Sequence, residues 1–152
     1  MNLGETETRI STILNESRIE NETAEHDPVY TNPDMADKIG VPVGDTLQNL
    51  MLRSDKGETI LLLLPGDKRF DGKTVAKSVG ARVSFEKPER VLEIACCEVG
   101  CVPPFGHLQP VRIFMDGDLL KKDAIWFNPG VHNKSVMISV DDLRELCNPI
   151  II

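Results

Sequence analysis

Seven consecutive residues, Gly100-Cys101-Val102-Pro103-Pro104-Phe105-Gly106, combine two glycines and two prolines. Such a stretch takes an unusual backbone path and can be neither helix nor central strand. A loop already ordered by its sequence can hold a carbonyl group, or the negative charge that develops on it, at low entropic cost. It can equally be a rigid connector, and residue types alone do not separate the two. A second glycine-containing segment, Asn128-Pro-Gly130-Val-His132-Asn133, carries one of three histidines; His26 and His107 are the others. A single histidine is more often packed than catalytic, and only His132, beside Asn133 in a glycine loop, rises above that expectation.

Two other patterns look chemical and are set aside. Gly66-Asp-Lys-Arg-Phe-Asp-Gly72-Lys73-Thr74 follows an apolar run and resembles a phosphate-binding loop. That loop needs four residues between its glycines, and here there are five, two of them aspartates. A charged strand-to-helix turn is the better reading. Cys96, Cys97 and Cys101 are crowded together with only Cys147 elsewhere. This is neither a disulfide framework nor the paired spacing of a zinc site, so buried thiols in a reducing compartment are expected.

The 152 residues suffice for one domain, 1–152, with a sizeable core. The composition, 41% hydrophobic and 27% charged, is that of a globular protein. No apolar run approaches a membrane span and the N-terminus is polar and acidic, so a cytoplasmic protein without membrane contact is expected. The net charge of −7 argues against a non-specific coat on nucleic acid. Lys68, Arg69, Lys73, Lys77, Arg82, Lys87 and Arg90 nevertheless crowd the middle of the chain. A solvated helix face is the slightly better reading of that cluster.

The elements that must position these loops follow from periodicity. Ile10, Ile13 and Leu14 predict an amphipathic helix over 5–15. Thr31-Asn-Pro33 opens a second helix that Gly40 ends. Alternation predicts a strand over 46–53, with Leu47, Asn49 and Met51 on one face, and a turn at 55–57. The run Ile60-Leu-Leu-Leu-Leu64 predicts a strand buried on both faces. Val75, Ala76 and Val79 predict a helix closed by Gly80, then a strand over 82–85 and a helix opened by Pro88. Strands are expected over 111–115, 124–127 and 135–140, with a last helix capped by Asp141. The fold class expected is mixed α/β (α+β): one curled mixed sheet or partial barrel with helices packed outside.

With these residues in view, the chain resembles the YbaK and prolyl-tRNA synthetase editing family over roughly residues 22–147. Gly100 with Pro104 matches the family's Gly-x-x-x-Pro element. His26-Asp-Pro-Val-Tyr30-Thr31, Leu63-Leu-Pro-Gly-Asp-Lys-Arg69, Lys87-Pro-Glu-Arg-Val91, the 128–133 loop and Ile138-Ser-Val-Asp-Asp-Leu143 follow in the family's order. The resemblance implies hydrolysis of the ester between a wrong amino acid, such as alanine or cysteine, and the 3′ end of a transfer RNA. It implies no metal and no cofactor. The implied partners are the mischarged transfer RNA, through its 3′ aminoacyl-adenosine end, and prolyl-tRNA synthetase. Gly100, Gln48 and His132 inherit catalytic positions; His26, Tyr30, Cys101, Val102, Pro103, Pro104, Phe105, Gly130 and Asn133 inherit substrate-binding ones. Gln48 stands where the family usually has a lysine, which keeps hydrogen bonding and loses the charge, with His132 and Lys134 as candidates to compensate. A weak or inactive relative that binds the aminoacyl-adenosine end is the alternative. An interaction domain without a small ligand is a third.

Overall fold

The computed structural model describes residues 4–152. Helix α1 spans Gly4–Glu16, with Ile10 and Leu14 buried as their spacing requires. A short polar strand, β1 (Glu22–Glu25), leads to α2 (Asn32–Ile39). There Thr31 caps the amide of Asp34, Pro33 sits in the first turn, and Gly40 closes the helix at φ 75. The hairpin follows as β2 (Leu47–Ser54) and β3 (Thr59–Pro65). After it come α3 (Gly72–Val79), β4 (Val83–Phe85), α4 (Pro88–Ala95), β5 (Arg112–Met115), β6 (Ala124–Phe127), β7 (Lys134–Ser139), α5 (Val140–Cys147) and β8 (Ile150–Ile151).

The class is mixed α/β, as expected, but the strands form two sheets, and neither closes into a barrel. One has the order β1-β7-β6 and the other β4-β2-β3-β5-β8. A single parallel bridge, Thr46 to Trp126, joins them. β2 pairs antiparallel with β3 and β4, while β3, β5 and β8 run parallel. β3 is buried on both faces, as its unbroken apolar run dictates. Leu61 and Leu63 join Leu47 and Met51 in the main core, which also takes Ile125, Phe127, Val136 and Ile138 from the other sheet. Ile60, Leu62 and Leu64 turn the other way, under Val75 of α3.

One cap departs from expectation, and the 66–74 segment is the charged turn expected of it. Ser139, not Asp141, caps α5, accepting from the Asp142 amide at 3.0 Å. The 66–74 segment is a turn whose Asp71 accepts from the amides of Lys73 and Thr74. The N–H groups that a phosphate would need are thus already taken. Among the described residues, no helix is long and apolar enough to cross a membrane.

Candidate active site

β4 covers β2 only from Leu52 onward. The first half of β2 therefore keeps one bare edge. Alternation decides which backbone groups face it. Thr46 O turns toward β3 and accepts from Gly66 N at 2.7 Å. Leu47 O turns the other way, to the Asn32 side-chain amide at 3.0 Å. Met51 O likewise accepts from Glu86 N. The backbone N–H and C=O of Asn49, between them, point to the bare edge. A cavity of about 220 Å³ lies there, walled by residues 29–32, 47–50, 99, 100 and 102, and Asn128.

The side chain of Asn49 shares the face of Leu47 and Met51. Its Oδ1 is buried without a hydrogen-bond partner, the one such side-chain atom among the described residues. A buried amide oxygen left unpaired costs on the order of 1–3 kcal/mol, and Asn49 is itself a residue of the cavity wall.

The glycine-proline loop forms the opposite wall, and helix α1 holds it from behind. Thr6 Oγ1 shares its one proton between Ala95 O at 2.9 Å and Cys96 O at 2.8 Å, just before the loop. Arg9 Nε donates to Gly106 O at 2.7 Å, at its far end. His107 bonds Pro103 O at 2.8 Å and Cys147 Sγ donates to Pro104 O at 3.2 Å. Burial holds the His107 ring below its ordinary pKa. Phe105 packs in the main core, its ring 5.5 Å from Phe127. Cys101, Pro103 and Pro104 are buried with it; of the loop, Gly100 and Val102 line the cavity, together with Val99 just before it.

Gly100 is free to carry a side chain. Its φ is not positive, and an added Cβ would meet nothing nearer than His132 Cε1 and Tyr30 O, both at 3.9 Å. Gly100→Ala should therefore shift the melting temperature by no more than about 2 °C, since surface-type substitutions stay within ~0.5 kcal/mol. If the cavity is a site, the same change should slow turnover about tenfold. Unchanged turnover would return the loop to the status of a connector.

His132 is fully engaged. Nδ1 lies 3.0 Å from Val29 O and Nε2 lies 2.9 Å from Glu98 Oε2. Both partners are acceptors, so each nitrogen serves as a donor when both contacts are made. The Tyr30 ring rests against it at 4.4 Å, tilted by 42°. The ring thus fastens Val29 and Tyr30 to the glycine loop. The Cys101 sulfur lies 3.2 Å and 3.1 Å from the two ring nitrogens, an arrangement that suggests a thiolate nucleophile. Burial, with Glu98 adding to it, pushes that thiol up to about 12, and such a thiol is inert at neutral pH.

The remaining candidates lie around this framework. His26 sits between Asp27 O and Ser135 Oγ, each at 2.8 Å, and its amide donates to Asn133 O at 3.0 Å. Gly130 faces away from the cavity: at φ 101, a Cβ there would come 2.6 Å from Thr6. Lys134 is paired with Glu7 and lies 3.9 Å from Glu25.

Gln48 lines the cavity wall, but its side chain leaves β2 on the face opposite Asn49. Nε2 donates to Pro65 O at 2.9 Å and to Lys68 O at 2.7 Å. Both donors are spent on the turn after β3. Gln48→Ala should cost about 1–2 kcal/mol, two modest hydrogen bonds. Gln48→Lys, with three donors, should recover most of it in a denaturant titration. No loss in Gln48→Ala would show that the two bonds contribute nothing.

This chain belongs to the aminoacyl-tRNA editing domain family, whose sequence model matches residues 26–146. Its relatives make the assignment concrete. It is 31% identical over 140 residues to the prolyl-tRNA editing protein ProX of Acetoanaerobium sticklandii, across 88% of this chain and 85% of that protein. It is 24% identical to the multifunctional Ser/Thr-tRNA deacylase ProXp-y of Escherichia coli, across 95% of this chain and 89% of that one. A crystal structure of a candidate trans-editing enzyme for prolyl tRNA synthetase superimposes with a TM-score of 0.86, covering 97% of this chain and 94% of the other at 24% identity.

Proposed function

We propose that this chain hydrolyses the ester joining a wrong, small amino acid to the 3′ end of a transfer RNA. The observation that carries this reading is the unpartnered Oδ1 of Asn49, a residue of the cavity wall. An aminoacyl ester brings a donor of the right kind, its α-ammonium group, and a charge-assisted bond to that group is stronger than a neutral one. With the ammonium on Asn49, the carbonyl carbon lies toward Gly100, where the absence of a side chain admits close approach. Water attacks the ester there, and the work of the site is placement of the carbonyl and of the charge that forms on it. A cavity of about 220 Å³ suits a short side chain such as that of alanine, serine or cysteine. The terminal adenosine then lies at the mouth, beside Tyr30, which is 67% exposed. Family membership and the printed activities of ProX and ProXp-y support the same chemistry.

A second reading has an observation of its own. Gln48 is neutral and both its donors are bound to backbone, so no cation from position 48 reaches the ester. On that reading the chain binds the aminoacyl-adenosine end and turns it over slowly or not at all. A deacylation panel of alanyl-, cysteinyl-, seryl- and threonyl-tRNA decides. Hydrolysis of at least one well above the spontaneous rate supports the first reading. Saturable binding without acceleration supports the second, and neither binding nor turnover sinks both.

A further inference from the structure

The largest cavity among those described is not the one above. A groove of about 1220 Å³ runs across the other face of the five-stranded sheet, between α3, the 68–74 turn, β4 and the 117–121 turn. Five cations and three carboxylates line it, in a chain whose net charge is −7. The carboxylates are committed. Asp71 caps α3, accepting from Lys73 N at 3.1 Å and from the Thr74 hydroxyl at 2.8 Å. Asp116 and Asp118 bind Lys68 at 2.6 Å and 3.0 Å, and Asp118 also binds Lys121 at 3.2 Å. Arg69, Lys73 and Arg82 remain exposed along the groove. The floor is apolar, with Leu64, Phe70 and Val75. At its side Phe85, 61% exposed, stands with its ring 5.3 Å from that of Phe70.

Unmatched cations beside an exposed aromatic ring suit a strand of nucleic acid: phosphates meet the cations and a base meets the ring face. A second observation gives the strand a direction. Gln48 lines the small cavity and bonds Pro65 O and Lys68 O. Pro65 and Lys68 line a shallow depression shared with Asp118 and Lys121, and Lys68, Asp118 and Lys121 also line the groove. The two sites are therefore neighbours along one continuous surface, separated by the turn that Gln48 holds.

We propose that this groove is the track for the transfer RNA strand whose 3′ end enters the cavity, with Arg69, Lys73 and Arg82 on its phosphates and Phe85 under a base. The proposal rests on the editing reading of the cavity. It goes beyond it in assigning RNA contacts to a separate face, built from the basic cluster in the middle of the chain.

The test uses the whole protein and an RNA hairpin ending in CCA that carries alanine through a non-hydrolysable amide. Its affinity is measured between 50 and 200 mM salt. Neutralising two single-strand phosphate contacts lowers the salt slope by about 1.4, at ~0.7 per contact. Arg69→Gln with Lys73→Gln should show that change and bind at least about tenfold more weakly. Phe85→Ala should lose roughly tenfold with no change of slope, in the range for one stacked base. Arg18→Gln, a cation beside the three-stranded sheet, should do neither. Hydrolysis of a short ester, alanyl-adenosine, should be the same in all four proteins. The proposal is overturned if the double variant binds with the affinity and slope of the parent. It is also overturned if the parent does not bind the hairpin, if AMP alone binds in its place, or if short-ester hydrolysis falls in step with RNA binding. A parent that binds RNA through these residues yet cleaves no short ester leaves the groove standing and removes the editing reading of the cavity.

Discussion

An Asn49→Leu protein should melt higher than the parent and hydrolyse aminoacyl esters about a hundredfold more slowly. The two effects share one cause. Asn49 Oδ1 is buried and unpaired, on the strand face it shares with Leu47 and Met51, which are core residues. Leucine fits that face and removes a desolvated acceptor that costs on the order of 1–3 kcal/mol. For a domain of this size each kcal/mol moves the melting temperature by roughly 2–4 °C. The activity loss is set at the scale of one removed positioning contact, about 10²–10³. Asn49→Asp keeps an acceptor for the substrate's ammonium and should retain more of the rate than leucine does. Calorimetry and a deacylation time course on the three proteins suffice. A leucine variant that melts lower, or that keeps its rate, would remove Asn49 from the site.

Gly66→Ala should lose stability and activity together, and by more than any loop substitution named above. A Cβ at Gly66 would sit 2.1 Å from Thr46 Oγ1 and 2.5 Å from Val43 O. The hydroxyl cannot rotate away without loss, because it donates to Val43 O at 2.7 Å and accepts from Asn32 Nδ2 at 3.0 Å. Gly66 N is itself bonded to Thr46 O at 2.7 Å. Relief must come from backbone movement where β2 begins. Overpacking of this kind costs about 3 kcal/mol or more, a fall of roughly 6–12 °C. The movement passes through Asn32 and Leu47 into the cavity wall, so residual folded protein should also turn over slowly. A melting temperature within 2 °C of the parent would show that the turn yields more easily than these contacts allow.

What the sequence disclosed, and what it hid, divides along physical lines. Periodic elements were legible wherever one face is apolar: α1 from Ile10, Ile13 and Leu14, the hairpin from its alternation, β3 from its unbroken run. β1 was hidden because Glu22–Glu25 buries no face, and β8 because two residues carry no period. The cap of α5 was placed two residues late, since Ser139 and Asp141 both have capping side chains and only backbone geometry chooses between them. In the cavity wall, the position of the 100–104 loop was legible from its glycines and prolines, and Asn49 was passed over. The signal for it was present: an amide between Leu47 and Met51, on a face the alternation assigns to the core. What could not be read was that no donor lies opposite it, because that depends on three segments distant in sequence. The engagement of Gln48 by Pro65 O and Lys68 O was hidden for the same reason.

Helix α1 lies outside the span, 26–146, that the family model matches, yet its Thr6 and Arg9 hold both ends of the glycine-proline loop. These clasps join residues 89 and 97 positions apart. Closing a chain segment of that length costs about 4 kcal/mol of entropy on the logarithmic scale for flexible loops. The hairpin of β2 and β3, a local contact, can form long before them. The hairpin can therefore precede the clasps, and the rigidity of the loop, which its glycines and prolines favour, is completed only when α1 docks. A protein synthesised without residues 4–16 should still form the hairpin but present a loop with many shapes. In the intact chain that disorder is removed once, at folding, and no substrate has to remove it again.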